Sequence, residues 1–512
     1  MSGKGELPYR QLFIICVCRF AEPICFTVIF PFIVQMVRDF DIAREEDVGF
    51  YVGFLTSSFA LCQLLTGMQW GSLSDRIGRR PTILMGMSGA IISILLFGIS
   101  KSYWWALCSR SLCGLLNGNV SIYKSAVAEL TLDVPAEKRA RAFSMLPLLY
   151  GLGCIIGPSL GGFLSHPVTA FPGLFDNHGA LTEFLIEYPY FLPCFISASF
   201  CTFGLCIGYF YLEESLGGIH QQEKLRAKKQ MHTHQQEQPL LTQTDDDQGY
   251  QTFDSRTSKP SLPPPPTLRE ALTPAVLAIS LSYGIYAYQV VFYDELFPIW
   301  TASSRKLGGL GFKTDEIGTA LAYTGVMTLV GQLFVMPKLV GRFGLVPLYR
   351  VVLTILVFVY IIQGYVRLLY DVPDTHGEVG TKQWVWVGLF IILTIKTICQ
   401  TIAFTGCTLL VNNCAPLRSL GAINGFSQCC ASFMRALGPA TCGILWSQSV
   451  VATWLPFGVR SQIVWMFLSV IAVVTVWTAM RLDPKKYERD PFEDDIPATD
   501  DSDDDHSSDT AV

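Results

Sequence analysis

Apolar runs long enough to cross a bilayer recur along the chain. They lie at roughly residues 10–36, 48–70, 82–99, 103–128, 143–164 and 189–211, and again at roughly 274–298, 316–340, 347–369, 384–411, 419–447 and 461–481. A helical crossing takes about 20 apolar residues, and a helix satisfies its backbone polar groups internally where no water can. The expected fold is therefore all-α, with twelve transmembrane helices in two six-helix halves. Composition agrees: 50% of the residues are hydrophobic and 15% are charged, against about 25% charged in soluble domains. The expected division is an N-terminal half at 1–211, a linker at 212–273, a C-terminal half at 274–481 and an acidic tail at 482–512. Linker and tail are expected to be disordered. The first mixes glutamines, a basic cluster (Lys224, Arg226, Lys228, Lys229) and the run Pro263–Pro266, with little apolar surface to bury.

The connection between the second and third runs, Gly71-Ser-Leu-Ser-Asp-Arg-Ile-Gly-Arg-Arg-Pro81, sets the orientation. Its arginines Arg76, Arg79 and Arg80 place it on the cytoplasmic side, and an even number of spans puts both termini there too. Lys138, Arg139, Arg141, Arg342, Arg350, Arg418 and Arg481 agree, whereas Arg38, Lys313 and Lys382 fall on the outer side. Gly71 admits a close backbone neighbour and Gly78 permits a turn. Asp75 and Arg79 are spaced to pair if the helix continues through them. The segment Pro337-Lys-Leu-Val-Gly-Arg-Phe-Gly-Leu-Val-Pro347 aligns with 71–81 without a gap, with Gly341 in place of Asp75. The halves thus read as an internal duplication, an arrangement that places a substrate site near the midplane between repeats.

Other classes of function find little support. The net charge of −5 reflects an acidic excess in the tail and gives no nucleic-acid footprint. The 16 cysteines lie almost all in apolar runs without metal-ligand spacing, and His220, His232 and His234 read as solvated linker residues. No nucleophile–base set or nucleotide-binding loop is present, so neither an enzyme nor a cofactor or metal is expected.

A charge at a helix centre in the bilayer costs roughly 2.5–3.5 kcal/mol, so each one within a run needs a reason. Glu22, in Arg19-Phe-Ala-Glu-Pro23, reads as a lone carboxylate beside a helix-opening proline. Arg110 begins Arg110-x-x-x-Gly114-x-x-x-Gly118, whose glycines admit a neighbouring helix. A carboxylate in a low-dielectric cavity can exchange a proton near neutral pH, which makes Glu22 and Arg110 the candidate coupling residues. Asn117, Asn119, Lys396 and Arg435 are candidate cavity residues. Asn119-Val-Ser121 has the form of a glycosylation site but lies within a run, and reads as polar lining.

At every defining position, G-x-L-S-D-R-x-G-R-R-P resembles the loop between spans two and three of the major facilitator superfamily. Arg110 with Gly114 resembles the family's fourth-span coupling motif. Gly153-x-x-x-Gly157-Pro158-x-x-Gly161-Gly162 resembles the fifth-span motif of drug:proton antiporters. Arg19–Pro23, Trp70-Gly71 and Tyr293-Asp-Glu-Leu-Phe-Pro298 resemble fungal and plant relatives of the zinc-induced-facilitator type. The resemblance implies a proton-coupled exporter of small organic molecules, working as a monomer in a lipid bilayer by alternating access. It also implies that Asp75, Arg79 and Glu129 form a conformational latch. The alternatives are a proton symporter importing a nutrient, which the fifth-span motif disfavours, and a non-transporting sensor or scaffold of the same fold. Glu237-Gln-Pro-Leu-Leu241 approximates an acidic dileucine sorting signal, and the expected location is the vacuolar or plasma membrane.

Overall fold

The computed structural model describes residues 7–131, 136–175, 179–215, 272–375, 378–414 and 420–483. The expectations for the interior of the linker and for the acidic tail lie outside these residues. The described residues form helices and no strand. Eight helical segments are long and apolar enough to cross a membrane, among them Val48–Gly67, Arg79–Gly98, Pro274–Ala302 and Ile463–Met480.

In the first part of the chain α1 (Tyr9–Thr27) and α2 (Ile33–Asp39) share one apolar run, divided by a turn at 28–32. Then follow α3 (Val48–Ile77), α4 (Arg79–Gly98), α5 (Tyr103–Leu115), α6 (Asn119–Leu130), α7 (Ala136–Leu164) and, after three short helices, α8 (Phe191–Tyr211). The run at 103–128 is likewise two helices, not one. They part at Leu116–Gly118, where the Trp70 indole donates to the Leu115 carbonyl at 2.7 Å and supplies the donor that the break removes. Further on come α9 (Pro274–Ala302), α10 (Thr314–Val330), a π-helical turn at Gly331–Val335, α11 (Met336–Phe343), α12 (Leu345–Gln363), α13 (Gln383–Asn413), α14 (Leu420–Val451) and α15 (Ile463–Met480). Starts follow local chemistry. The Thr273 hydroxyl caps α9 just before Pro274, and Glu316 reaches back to the Lys313 backbone N–H at the start of α10.

The two basic loops share one conformation. α3 ends at Gly78, with φ +106°, and α11 ends at Gly344, with φ +77°, a region that glycine enters without steric cost. A new helix begins at the next residue in each case. The helix does not run on through Gly78, so Asp75 belongs to α3 and Arg79 to α4.

Apolar side chains such as Phe13, Phe203, Phe358, Ile391 and Trp477 point outward, as a surface facing lipid requires. Between the two parts of the bundle, α3 packs along α14 and α7 along α10. Both seams close at the end away from the basic loops. A Cβ on Gly162 would lie 2.6 Å from the Gly318 Cα, and the Gly49 and Gly53 positions are as tightly held by Trp446 and by the Pro439–Gly443 backbone. The Phe50 backbone donates to Ser447 Oγ at 3.1 Å, the Ala440 backbone to Ser57 Oγ at 2.7 Å, and Arg38 to the Ala302 carbonyl at 3.1 Å. Nearer the basic loops, a Cβ on Gly67 or Gly71 would meet nothing within 4 Å. The bundle is shut at its far end and parted at the loop end.

Candidate functional site

Glu22 is not alone. Its carboxylate pairs with the Arg19 guanidinium one turn earlier on α1, and both side chains are buried. The second carboxylate oxygen, Oε1, is buried and has no hydrogen-bond partner among the described residues. The Arg19 guanidinium also lies 5.9 Å from the Tyr123 ring of α6 and 5.8 Å from the Tyr150 ring of α7. Helix α1 passes through Pro23 unbroken, so the proline removes a donor without opening the helix. The fifth-span glycines explain how α1 is held there. A Cβ on Gly153 would lie 2.5 Å from Pro23 Cβ, while Gly157 and Gly161 face Thr27 and the Val28 carbonyl. Gly162, next along, faces Gly318 of α10 instead. The motif therefore seats two helices at once, the one bearing Glu22 and one from the opposite half.

Arg110, on α5, is 2% exposed, and its Nε and Nη2 have no hydrogen-bond partner among the described residues. Its guanidinium rests against rings, 4.6 Å from Phe59 and 5.2 Å from Phe26, contacts that hold a desolvated cation. Gly114 and Gly118 both face α3, at Phe59 and Trp70, and so let that helix approach. Glu295 of α9 is near enough to act on Arg110 electrostatically. It is 2% exposed and accepts a hydrogen bond from Thr56 Oγ1 of α3 at 3.2 Å, across the seam. Its neighbour Asp294 pairs with Lys396 of α13 at 3.7 Å, and the Lys396 ammonium sits 3.8 Å from the centre of the Tyr293 ring. Asp294 keeps 46% side-chain exposure, and Tyr150 is 41% exposed. Both are far from either end of their helices, so they line a water-reached cavity between the halves.

Arg435 of α14 donates to its own Ala431 carbonyl at 3.3 Å. Asn117 and Asn119 do not line the cavity. Asn117 accepts from Gln63 of α3 at the break between α5 and α6, and Asn119 is wedged against Gly86 and donates to the Ile83 carbonyl of α4. The break leaves backbone groups unpaired, and the Gln63 amide satisfies one of them, the Asn117 carbonyl.

At the loop end, Arg79 Nε donates to Glu129 Oε1 at 2.9 Å, Nη2 lies 2.8 Å from the same oxygen, and Nη1 donates to Ser74 Oγ at 2.8 Å. Two of the three expected latch residues thus meet; the Asp75 side chain lies outside what is described. Two residues at the start of the linker join them. Ser215 Oγ donates to Glu129 Oε2 at 2.6 Å, and the Glu214 carboxylate accepts the backbone N–H groups of Arg79 at 2.8 Å and Arg80 at 3.1 Å. A carboxylate at the first turn of α4 is favoured by the helix dipole.

Sequence reasoning missed Arg19, Asp294 and Glu295 as intramembrane charges, together with Lys124 of α6. The signal was present: each lies well inside an apolar run, and three of them belong to segments quoted above for another purpose.

A family model described as Major Facilitator Superfamily matches residues 15–439. The chain is 31% identical to the major facilitator superfamily multidrug transporter mfsB of Aspergillus fumigatus, over 88% of this chain and 81% of that protein. It is 30% identical to Protein ZINC INDUCED FACILITATOR 1 of Arabidopsis thaliana, over 92% of this chain and 90% of that protein. A D-xylose-proton symporter of known structure superposes with a TM-score of 0.64 at 13% identity, covering 95% of this chain and all of that one. The last likeness concerns the fold.

Proposed function

The chain belongs to the major facilitator superfamily, and on that premise we propose that it is a proton-coupled antiporter exporting small organic molecules by alternating access. That it is a membrane transporter and not an enzyme follows from the family; the coupling, the direction and the residues are our reading. The observation that carries it is Glu22: a carboxylate buried mid-membrane, half-satisfied by Arg19, on the stretch of α1 that the glycine face of α7 supports. Protonating Glu22 would release Arg19 and change what the cavity offers a substrate. Because α7 packs on both α1 and α10, that local change reaches the seam that opens and closes. Arg110 and Glu295, one from each half and both desolvated, are the second site where a proton would alter the balance between states.

The basic-loop end is assigned to the cytoplasm, so the cavity described above opens inward. Both termini then lie in the cytoplasm, the halves 1–211 and 274–481 rock about the midplane, and the 212–273 linker and acidic tail are cytoplasmic. A vacuolar or plasma membrane suits an exporter. The Arg79–Glu129 pair, with Asp75, serves as the latch whose environment changes when the cytoplasmic side closes.

Reconstituted vesicles with an imposed pH gradient test the coupling. Glu22→Gln is expected to abolish gradient-driven uptake while substrate exchange without a gradient persists. Undiminished gradient-driven flux in that variant would remove Glu22 from the mechanism.

A further inference from the structure

A buried amide in this bundle can be paired at both ends, as Gln289 of α9 shows. It donates to Tyr360 Oη at 3.0 Å and accepts from Thr475 Oγ1 at 3.1 Å. Gln363 and Gln462 are buried as well, yet the amide oxygen and nitrogen of both have no hydrogen-bond partner among the described residues. The buried indole N–H of Trp465 has none either.

These groups sit together. A Cβ on Gly364 would lie 2.1 Å from Gln462 Oε1 and 2.6 Å from Trp465 Cδ1, the ring atom bonded to the indole nitrogen. Gly364 follows Gln363, the last residue of α12, where the helix gives way to a 3₁₀ segment at Gly364–Asp371. Gln462 is the N-cap residue of α15, and its side chain makes no capping bond there. Further along the same antiparallel seam, Ser469 Oγ donates to the Val357 carbonyl at 3.0 Å; this contact is displaced equally along both chains from that of Gly364 with Gln462. Gln363 therefore lies in the seam between α12 and α15, one turn beyond Tyr360 on the same face of α12. The Tyr360 ring is 5.6 Å from that of Tyr293, which is 6.0 Å from that of Trp465. Tyr293 Oη is a sixth buried atom of this group without a partner, and its ring carries the Lys396 ammonium at 3.8 Å.

A buried polar atom left unpaired bears the full cost of its desolvation, and folded proteins leave few such atoms, not six at one place. None of the four side chains is charged. Two amides, an indole N–H and a phenol offer both donors and acceptors, the lining that water takes in protein interiors.

We infer that Gln363, Gln462, Trp465 and Tyr293 line a buried water site inside the C-terminal half. Water enters it from the far end, where Gln462 closely follows the exposed residues 457–459. Both helices of the seam belong to one half, so the site stays hydrated while the far end is shut between the halves. The Asp294–Lys396 pair then lies between water of the loop-side cavity and water of this site. The inference depends on neither proton coupling nor the direction of transport.

X-ray radiolytic footprinting of the purified full-length protein, in water carrying a heavy oxygen isotope, tests it. Irradiation splits water into hydroxyl radicals too short-lived to travel. A side chain shut off from bulk solvent is therefore oxidised only where water is bound beside it, and the added oxygen carries the label. Trp300 and Tyr286 are the internal controls, equally buried but satisfied by protein. Trp300, 5.2 Å from Trp465, donates its N–H to the Gly308 carbonyl, and Tyr286 donates its hydroxyl to the Gln400 carbonyl. Trp465 and Tyr293 should take up label at several times the rate of these controls. Gln462→Met and Gln363→Met remove an amide at similar side-chain length, and each should bring the Trp465 rate down to that of Trp300. A folded variant elutes as a single peak and keeps the parent's Trp300 rate. The two substitutions fall on different elements, so one folded protein suffices. Trp465 and Tyr293 no faster than their controls would overturn the inference, as would a Trp465 rate that survives in a folded methionine variant. Label on Trp465 without Tyr293 would overturn the extension of the site to Lys396.

Discussion

Gly162→Ala should tilt the transporter away from the state described here. In this state a Cβ at position 162 would lie 2.6 Å from the Gly318 Cα and 3.1 Å from the Thr314 carbonyl oxygen. Both obstacles are backbone atoms, so no rotamer change can relieve the clash, and α7 and α10 must separate. Forcing a methyl into a packed interface costs about 1–3 kcal/mol. The clash exists only while the far end is shut, so the penalty falls on one state and moves the equilibrium roughly 5- to 150-fold toward the other. The readout is a cysteine at Gly67, where the loop-side cavity is open, labelled by an impermeant maleimide from the cytoplasmic face of inside-out vesicles. Labelling should slow in Gly162→Ala. Gly173→Ala, at a position with nothing within 4 Å, should label like the parent. Unchanged labelling in a folded Gly162→Ala protein would show that the α7–α10 contact does not decide which end is open.

Arg110→Lys keeps the charge but loses the planar group that rests on Phe59 and Phe26; transport should fall at least tenfold in vesicle flux assays at equal protein level. Glu129→Gln removes the carboxylate charge that Arg79 Nε and Nη2 meet, at a site where both side chains are largely buried. Turnover should drop with little change in the substrate concentration giving half-maximal flux. At the far end, burial pushes the Asp39 carboxyl up, but hydrogen bonds from His166, Tyr190 and Gln35 outweigh it and hold the group below its ordinary value of 3.8. A carboxyl held low in the fold stabilises above its unfolded value and loses that contribution as pH falls through the folded one. The thermal midpoint of Asp39→Asn should therefore lie below the parent's at neutral pH, and the gap should shrink as the pH falls below about 3.8.

The fold was legible because lipid imposes a rule that reads directly from hydrophobicity, and because Gly78 and Gly344 mark equivalent turns in two copies of one segment. The breaks in the first and fourth runs were less so: Asn117 and Trp70 are ordinary polar or aromatic residues until the open helix end between them is seen. Of the site, single charges were readable wherever an apolar run surrounded them, and Glu22, Arg110 and Lys396 were found that way. Their partners were harder. Arg19 stands one turn from Glu22 and could have been paired by spacing alone. No spacing relates Thr56 to Glu295, because that contact exists only once two parts of the chain far apart in sequence are folded against each other.

The clasp of Glu214 and Ser215 on the latch gives the connecting chain a mechanical role. Glu214 grips the first amides of α4 and Ser215 hydrogen-bonds the carboxylate that holds Arg79, so the chain leaving α8 is tied to the Arg79–Glu129 pair directly after that helix ends. Tension arriving at Ser215 would thus reach Glu129 first, and, if the Arg79–Glu129 pair serves as the proposed latch, would loosen it without entering the cavity. The two halves produced as separate polypeptides should therefore differ according to where the chain is cut. A first polypeptide ending at Ser215 keeps the clasp, and one ending at Leu212 lacks it while keeping α8 whole.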